Sequence, residues 1–240
     1  MHLFFDPTLT AMQHEIIFKN DESRHIARVL RKKENDSIVV TNGNGLEWQG
    51  ILKNVDQRNT LAVQSNFIQH PAKKKKIHIA IAPTKSNDRM EWFLEKATEI
   101  GISTITPLLC QHSERKTIKV ARYEKILISA LKQSQQFFIP ELKPLISMTA
   151  FVKNNSRPHY IAHCEKGQKA IFSSFDFNSE KTTVLIGPEG DFSSEEIALS
   201  LASNGIPITL GNNRLRTETA GIVALNTVVL KQSLYQIKTN

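Results

Sequence analysis

At Ile77 the chain changes rhythm, and that change constrains its fold more than any other feature. Upstream lie short strands and turns; downstream, strand-like segments alternate with helical stripes. The predicted strands are 77–82, 104–109, 159–163, 183–186 and 206–210. Between them, Met90, Phe93, Leu94, Ala97 and Ile100 recur on one helical face, closed by Gly101. Tyr123, Ile126, Leu127, Ala130 and Leu131 form a second stripe, stopped before Pro140. Ser193 and Glu196 have the spacing of a capping box, opening a helix predicted to end near Gly205. Residues 219–236 form the last helix. Such alternation predicts an α/β fold, with a mostly parallel sheet covered on both faces. Residues 165–182 carry no readable pattern.

In residues 1–70, Ile38-Val39-Val40 and Trp48-Gln49-Gly50-Ile51-Leu52 flank Asn42-Gly43-Asn44-Gly45, a hairpin signal because Asn and Gly tolerate positive φ. With Leu61-Ala62-Val63 as a further strand, a small antiparallel barrel is predicted. Pro71-Ala72 and lysines 73–76 read as a solvated linker, leaving 77–240 as the second domain.

The 240 residues are 40% hydrophobic, enough to bury a core. No apolar run approaches the ~18 residues of a membrane span. Met1–Phe5 is interrupted too soon by Asp6 and Pro7 to be a secretory signal. The expectation is a soluble, cytoplasmic protein without a membrane segment. Cys110 and Cys164 form no CxxC pair and read as reduced, partly buried thiols. His159, His163 and Cys164 do not make a metal site, because strand residues four apart lie ~13 Å apart, beyond ligand bonds near 2 Å. No metal is expected. The 31 basic against 23 acidic side chains give a net +8, which favours polyanionic partners.

Ligands of open α/β sheets bind beyond the carboxyl ends of strands. Two loops there stand out: Ile186-Gly187-Pro188-Glu189-Gly190-Asp191-Phe192, and Leu210-Gly211 followed by Asn212-Asn213-Arg214-Leu215-Arg216-Thr217-Glu218-Thr219-Ala220. Glycines permit tight turns and close approach of backbone to a ligand. One such loop alone would suggest only strand caps and helix starts. Two on consecutive strand–helix units, the second dense in Arg, Thr and Glu, suggest a site. Pro83-Thr84-Lys85 follows the first strand in place of GxGxxG, which argues against a dinucleotide site, and neither a P-loop nor a GxSxG elbow is present.

These loops, with Phe192-Ser193 and the acidic pair Glu195-Glu196, resemble those of the RsmE-type members of the SPOUT methyltransferase class. Further matches run along the chain: His25 with Arg28-Val29-Leu30-Arg31; Lys85, Lys96, Ala97, Glu99-Ile100-Gly101, Pro107 and Ser113-Glu114-Arg115; Gln133-Ser134 and Ile139-Pro140. The resemblance implies a PUA-like RNA-binding β-barrel followed by a SPOUT domain. In that domain the C-terminal chain forms a trefoil knot holding bent S-adenosylmethionine, an exception to the rule against knots. It also implies a homodimer that methylates N3 of uridine 1498 in 16S ribosomal RNA of the small subunit. Three positions differ from the family's usual pattern: Asp191 stands for a second glycine, Gln136 for a frequent arginine, and Asn213-Arg214 for arginine followed by an aliphatic residue.

On this resemblance the cofactor-binding candidates are Leu185, Ile186, Gly187, Pro188, Glu189, Gly190, Leu210, Gly211, Leu215, Thr217, Thr219 and Ala220. Arg24, Arg28, Arg31 and Lys32 would align on one side of a short helix. They join His25, Lys85, Arg115 and Arg214 as RNA-binding candidates. Glu95 and Glu99 suit ordinary solvation beside Lys96. Arg216 and Glu218 are the catalytic candidates. N3 of uracil is a weak acid whose proton must leave before its lone pair can react; a guanidinium would stabilise the resulting anion. Glu218 would accept the proton or cap the last helix. A SPOUT enzyme acting on transfer RNA, or a ribosome-assembly factor without catalysis, are the competing readings. The PUA-like front end and the two cofactor loops respectively argue against them.

Overall fold

The computed structural model describes residues 2–239, with side chains as far as Leu234. Inter-residue contacts divide it into two units, Met1–Ala72 with Ile128–Ile139, and Lys73–Leu127 with Pro140–Asn240.

The first unit contains β1 (Leu3–Phe5), β2 (Glu15–Lys19), α1 (Asn20–Arg24), β3 (Ser37–Thr41), β4 (Leu46–Asn54) and β5 (Asn59–Gln69). They form one curled sheet in the order β1-β3-β4-β5-β2. The sheet is a PUA-like half-barrel, as the small β-barrel predicted for this stretch, and departs from an all-antiparallel arrangement at one pairing. β1 pairs parallel with β3, is three residues long and, with β2, forms an edge. Phe4, Phe18, Ile26, Val40, Trp48 and Leu52 fill the concave side. The Trp48 indole N–H donates to Gln13 O at 2.8 Å, so this large buried ring leaves no polar atom unpaired.

The predicted hairpin joins β3 to β4, with Gly43 at φ +74° and Gly45 at φ +89°. Gly45 has a second reason to lack a side chain: a Cβ there would lie 2.5 Å from the Phe138 ring. Ile128–Ile139 packs here, although its sequence position lies well inside the second stretch. Gly45 N–H donates to Phe137 O and Ile139 N–H to Gly43 O, at 2.8 and 2.9 Å. His70 stacks on Phe137 with ring centroids 4.4 Å apart. These pairings link residues distant in sequence, so hydropathy periodicity does not reveal them.

The second unit contains β6 (Lys76–Ile81), α2 (Asn87–Ile100), β7 (Thr104–Leu109), α3 (Val120–Gln133, whose last turns belong to the first unit), β8 (Glu141–Leu142), β9 (Ile146–Ser147), α4 (Met148–Asn154), β10 (His159–Ala162), β11 (Ala170–Ile171), β12 (Lys181–Ile186), α5 (Ser194–Ala202), β13 (Gly205–Thr209) and α6 (Thr217–Thr239). Every pairing is parallel, in the order β11-β13-β10-β12-β6-β7-β8, with β9 on β7. β12 thus inserts between β6 and β10, and β13 lies beyond β10. The carboxyl ends of β12, β10 and β13 become neighbours.

α2 buries Met90, Phe93, Leu94 and Ala97 and ends at Gly101, φ +98°. Both halves of the capping box at Ser193 and Glu196 are present. α5 ends at Ala202, near Gly205 as predicted, and the left-handed residue after it is Asn204, φ +64°. Gly205 is required for packing instead, since a Cβ would lie 2.4 Å from Ser200 Oγ. The segment after β10 is organised by Phe172, Phe175 and Phe177, whose centroids lie 4.9–5.8 Å from the Tyr160 ring. Burial places Ala224, Leu225 and Val228 of α6 inside the chain's own core.

Candidate active site

A cleft of about 590 Å³ opens where β10, β12 and β13 end, walled by the loops after these strands and the start of α6. The β12 loop contributes Ile186, Gly187, Pro188, Glu189 and Asp191; the β13 loop contributes Leu210, Gly211, Leu215, Arg216 and Thr217, with Ala220 of α6. Three of the cofactor-binding candidates sit outside the lining. Leu185 points to the opposite face of β12, as strand alternation requires, and packs in the core with Ala80 and Leu108. Gly190 faces His112, 3.0 Å from where its Cβ would be. Thr219 is half-buried in the first turns of α6.

Hydrogen bonds lace these loops together. Thr217 Oγ1 donates to Gly187 O at 3.1 Å, tying the start of α6 to the β12 loop. Glu189 Oε1 accepts from Lys85 N–H at 3.0 Å, and Glu189 O accepts from Arg214 Nη2 at 3.3 Å. Thr209 Oγ1 donates to Gly211 O at 2.9 Å, folding the β13 loop back on its strand. Gly211 has φ +141°, with nothing within 4 Å of an added Cβ.

The β10 loop supplies the wall missed by sequence reasoning: Ala162, His163, Cys164 and Lys169. Its signal was the third adjacent strand end, visible only once strand order is known. Cys164 is exposed, unlike buried Cys110. Lys169 Nζ donates to His163 O and Glu165 O, closing the loop around its ammonium. Burial first, and then the Lys169 charge, push the His163 imidazole below its ordinary pKa range. Both His163 ring nitrogens are buried without a hydrogen-bond partner among the described residues.

Arg216 is exposed at the cleft edge. Glu218 faces away from the lining; its Oε1 lies 3.9 Å from Arg89 Nε and its buried Oε2 has no partner among the described residues. The arginines expected for RNA divide into two kinds. Arg115 directs Nε to Thr84 O at 2.8 Å and Nη2 to Lys85 O, so its guanidinium braces the loop after β6. Lys85 Nζ pairs with Glu114 at 2.8 Å. In the first unit, Arg24 pairs with Asp21 and Lys32 donates to Ser37 O. Exposed Arg28 and Arg31 have no side-chain hydrogen bond or ion pair among the described residues, and His25 lies edge-on to Phe4. The short helix predicted here begins as α1, but His25–Val29 forms a π turn and Arg31 has φ +52°, so α-helical spacing does not align these side chains.

The family of RNA methyltransferase domains matches residues 71–229. The chain belongs to that family. Its RNA methyltransferase PUA domain matches residues 18–64. Ribosomal RNA small subunit methyltransferase E of Rickettsia conorii is 30% identical over 210 residues, 86% of this chain and 85% of the relative. A Porphyromonas gingivalis structure described as a probable rRNA-methyltransferase superposes with TM-score 0.90 at 34% identity, covering 98% of this chain and 100% of that one. A Legionella pneumophila methyltransferase structure with bound S-adenosylmethionine superposes at 0.83 and 26% identity, with 97% of each chain covered. No described helix of this methyltransferase is long and apolar enough to cross a membrane.

Proposed function

We propose that this chain is an S-adenosylmethionine-dependent ribosomal RNA methyltransferase acting on N3 of uridine 1498 in 16S RNA of the small subunit, in the cytoplasm. The observation that carries the reading is a three-loop cleft lined by Gly187 and Gly211, with Arg216 at its edge and without a hydrogen bond or ion pair among the described residues. The residues present fit an adenosyl cofactor. Open space beside Gly211 leaves room for a ligand, and the orphaned His163 nitrogens offer polar atoms that a ligand would satisfy. The loops after β12 and β13 would hold it, with the C-terminal segment threaded as a trefoil knot. Bound there, S-adenosylmethionine supplies the methyl group.

The chain's own residues prepare the nucleophile. N3 must lose its proton, which passes to solvent water, before the lone pair is available. Arg216 stabilises the uracil anion as charge develops. Glu218, turned toward Arg89, suits orientation of the α6 start better than proton transfer. The test is methylation of isolated small subunits followed by mass mapping of the product. A methyl group at N3 of that uridine is expected; a product at another nucleotide overturns the assignment.

RNA anchoring is assigned to the first unit. Replacing Arg28 and Arg31 by alanine is expected to weaken RNA binding and lower the log–log salt slope by roughly 0.7–0.9 per lost phosphate contact. Cofactor affinity, read by calorimetry, should stay unchanged. An unchanged salt slope would make these arginines ordinary surface charges.

The active form is a homodimer built on α6. Leu225 and Val228 are spent in the chain's own core, so the face left for a partner copy carries half-buried Ile222 and Val229 with exposed Leu230 and Leu234. The side chain of Tyr235, further along the same helix, lies outside the described residues. Light scattering at micromolar concentration should give the dimer mass. A fully active monomer would refute it.

A further inference from the structure

Asp191 stands where the resembling family usually has glycine, and the backbone explains that preference: φ is +66°. Aspartate is among the few side-chain-bearing residues that tolerate this left-handed region. Here the side chain also makes bonds that glycine cannot. Asp191 Oδ2 accepts from Cys164 N–H at 2.6 Å, across to the β10 loop. Oδ1 accepts from Phe192 N–H at 2.9 Å, within its own loop. Its main chain completes the junction: Asp191 N–H donates to Pro188 O at 2.9 Å, and Asp191 O lies 3.1 Å from His112 Nδ1, in the loop after β7. One residue therefore joins three loops, and both Asp191 and Cys164 line the cleft.

We propose that Asp191 is a positioning residue that clamps the β10 loop to the β12 loop and so fixes the width of the cofactor cleft. The proposal rests on the cofactor reading above. The clamp acts through a carboxylate-to-backbone bond, which is stronger than a neutral hydrogen bond. Without it, the wall carrying His163, Cys164 and Lys169 is held to the β12 loop by fewer contacts. The cleft must then be ordered by the ligand, and that ordering cost weakens binding.

The test compares Asp191→Gly and Asp191→Asn with the unaltered protein, using S-adenosylmethionine as the probe. Glycine removes the carboxylate but suits the positive φ, so the thermal midpoint without cofactor should not fall. Its KM for S-adenosylmethionine should rise roughly tenfold or more, the scale of one lost charge-assisted hydrogen bond, with kcat unchanged. Asparagine tolerates the same backbone and retains one acceptor, so it should recover part of the affinity. Wild-type KM in Asp191→Gly overturns the proposal. So does a joint fall of kcat, affinity and thermal midpoint without recovery in Asp191→Asn, which would make the residue merely structural. Failure of the unaltered protein to bind S-adenosylmethionine would instead refute the underlying cofactor reading.

Discussion

Replacing Arg216 with alanine is expected to slow methyl transfer by about 100-fold or more, the usual scale for losing one preorganised donor at a developing anion. The expectation rests on contrast with neighbouring arginines. Arg115 is committed to two backbone carbonyls, and Arg214 donates to Glu189 O. Arg216 has its main chain fixed, since its carbonyl accepts from Ala220 N–H at 2.8 Å in the first turn of α6. Its guanidinium has no hydrogen bond or ion pair among the described residues, yet it lines the cleft. A cation anchored at its root and unpaired at its tip is suited to a substrate base that leaves its stack. Single-turnover methylation and calorimetry with S-adenosylmethionine on the same variant separate the possible roles. The rate should collapse while cofactor affinity changes little. If both fall together, Arg216 belongs to the cofactor pocket and the uracil anion is stabilised by another group.

The parts legible in the sequence were those governed by local periodicity. The α2 stripe closing at Gly101, the capping box of α5 and the hairpin around Gly43 and Gly45 each depend on residues within a few positions of one another. The α/β alternation and two of the three cleft walls followed from the same kind of signal, supplemented by family resemblance. What could not be read depends on strand order. The β10 loop joins the cleft because β12 inserts between β6 and β10 and β13 pairs on β10's other side. No single segment encodes that adjacency. The same reason hides the attachment of Ile128–Ile139 to the first unit, which rests on Phe137 and Ile139 meeting the Gly43–Gly45 turn. Near Arg28 the error was of another type: spacing suggested an α-helix, but a π turn at His25–Val29 changes the angular step between side chains. Arg115 shows that a basic residue in an RNA-binding protein can be consumed by structure, since backbone carbonyls compete with phosphates for its donors.

Gly211→Val is expected to lower S-adenosylmethionine affinity by about 10- to 100-fold, because the backbone conformation itself is incompatible with a β-branched residue. The φ of +141° lies in a region essentially reserved for glycine. Space is not the obstacle, since an added Cβ would meet nothing within 4 Å. The loop must therefore abandon its conformation, and the Thr209–Gly211 hydrogen bonds that fold it toward β13 are lost. Gly187 offers a control with a different physical cause. It carries no such φ constraint, but a Cβ would lie 3.1 Å from the Phe192 ring, tighter than ordinary contact. Valine there acts by displacing Phe192, a buried core residue, so its effect should include a lower thermal midpoint without cofactor. Gly211 is exposed, and its substitution should spare the midpoint more than the affinity. Gly211→Ala isolates the backbone contribution: it introduces the same φ conflict with little bulk, and should lose most of the affinity that valine loses. If alanine binds the cofactor as tightly as glycine, the left-handed turn is not what holds the ligand, and the damage done by valine must come from its branches entering the cleft.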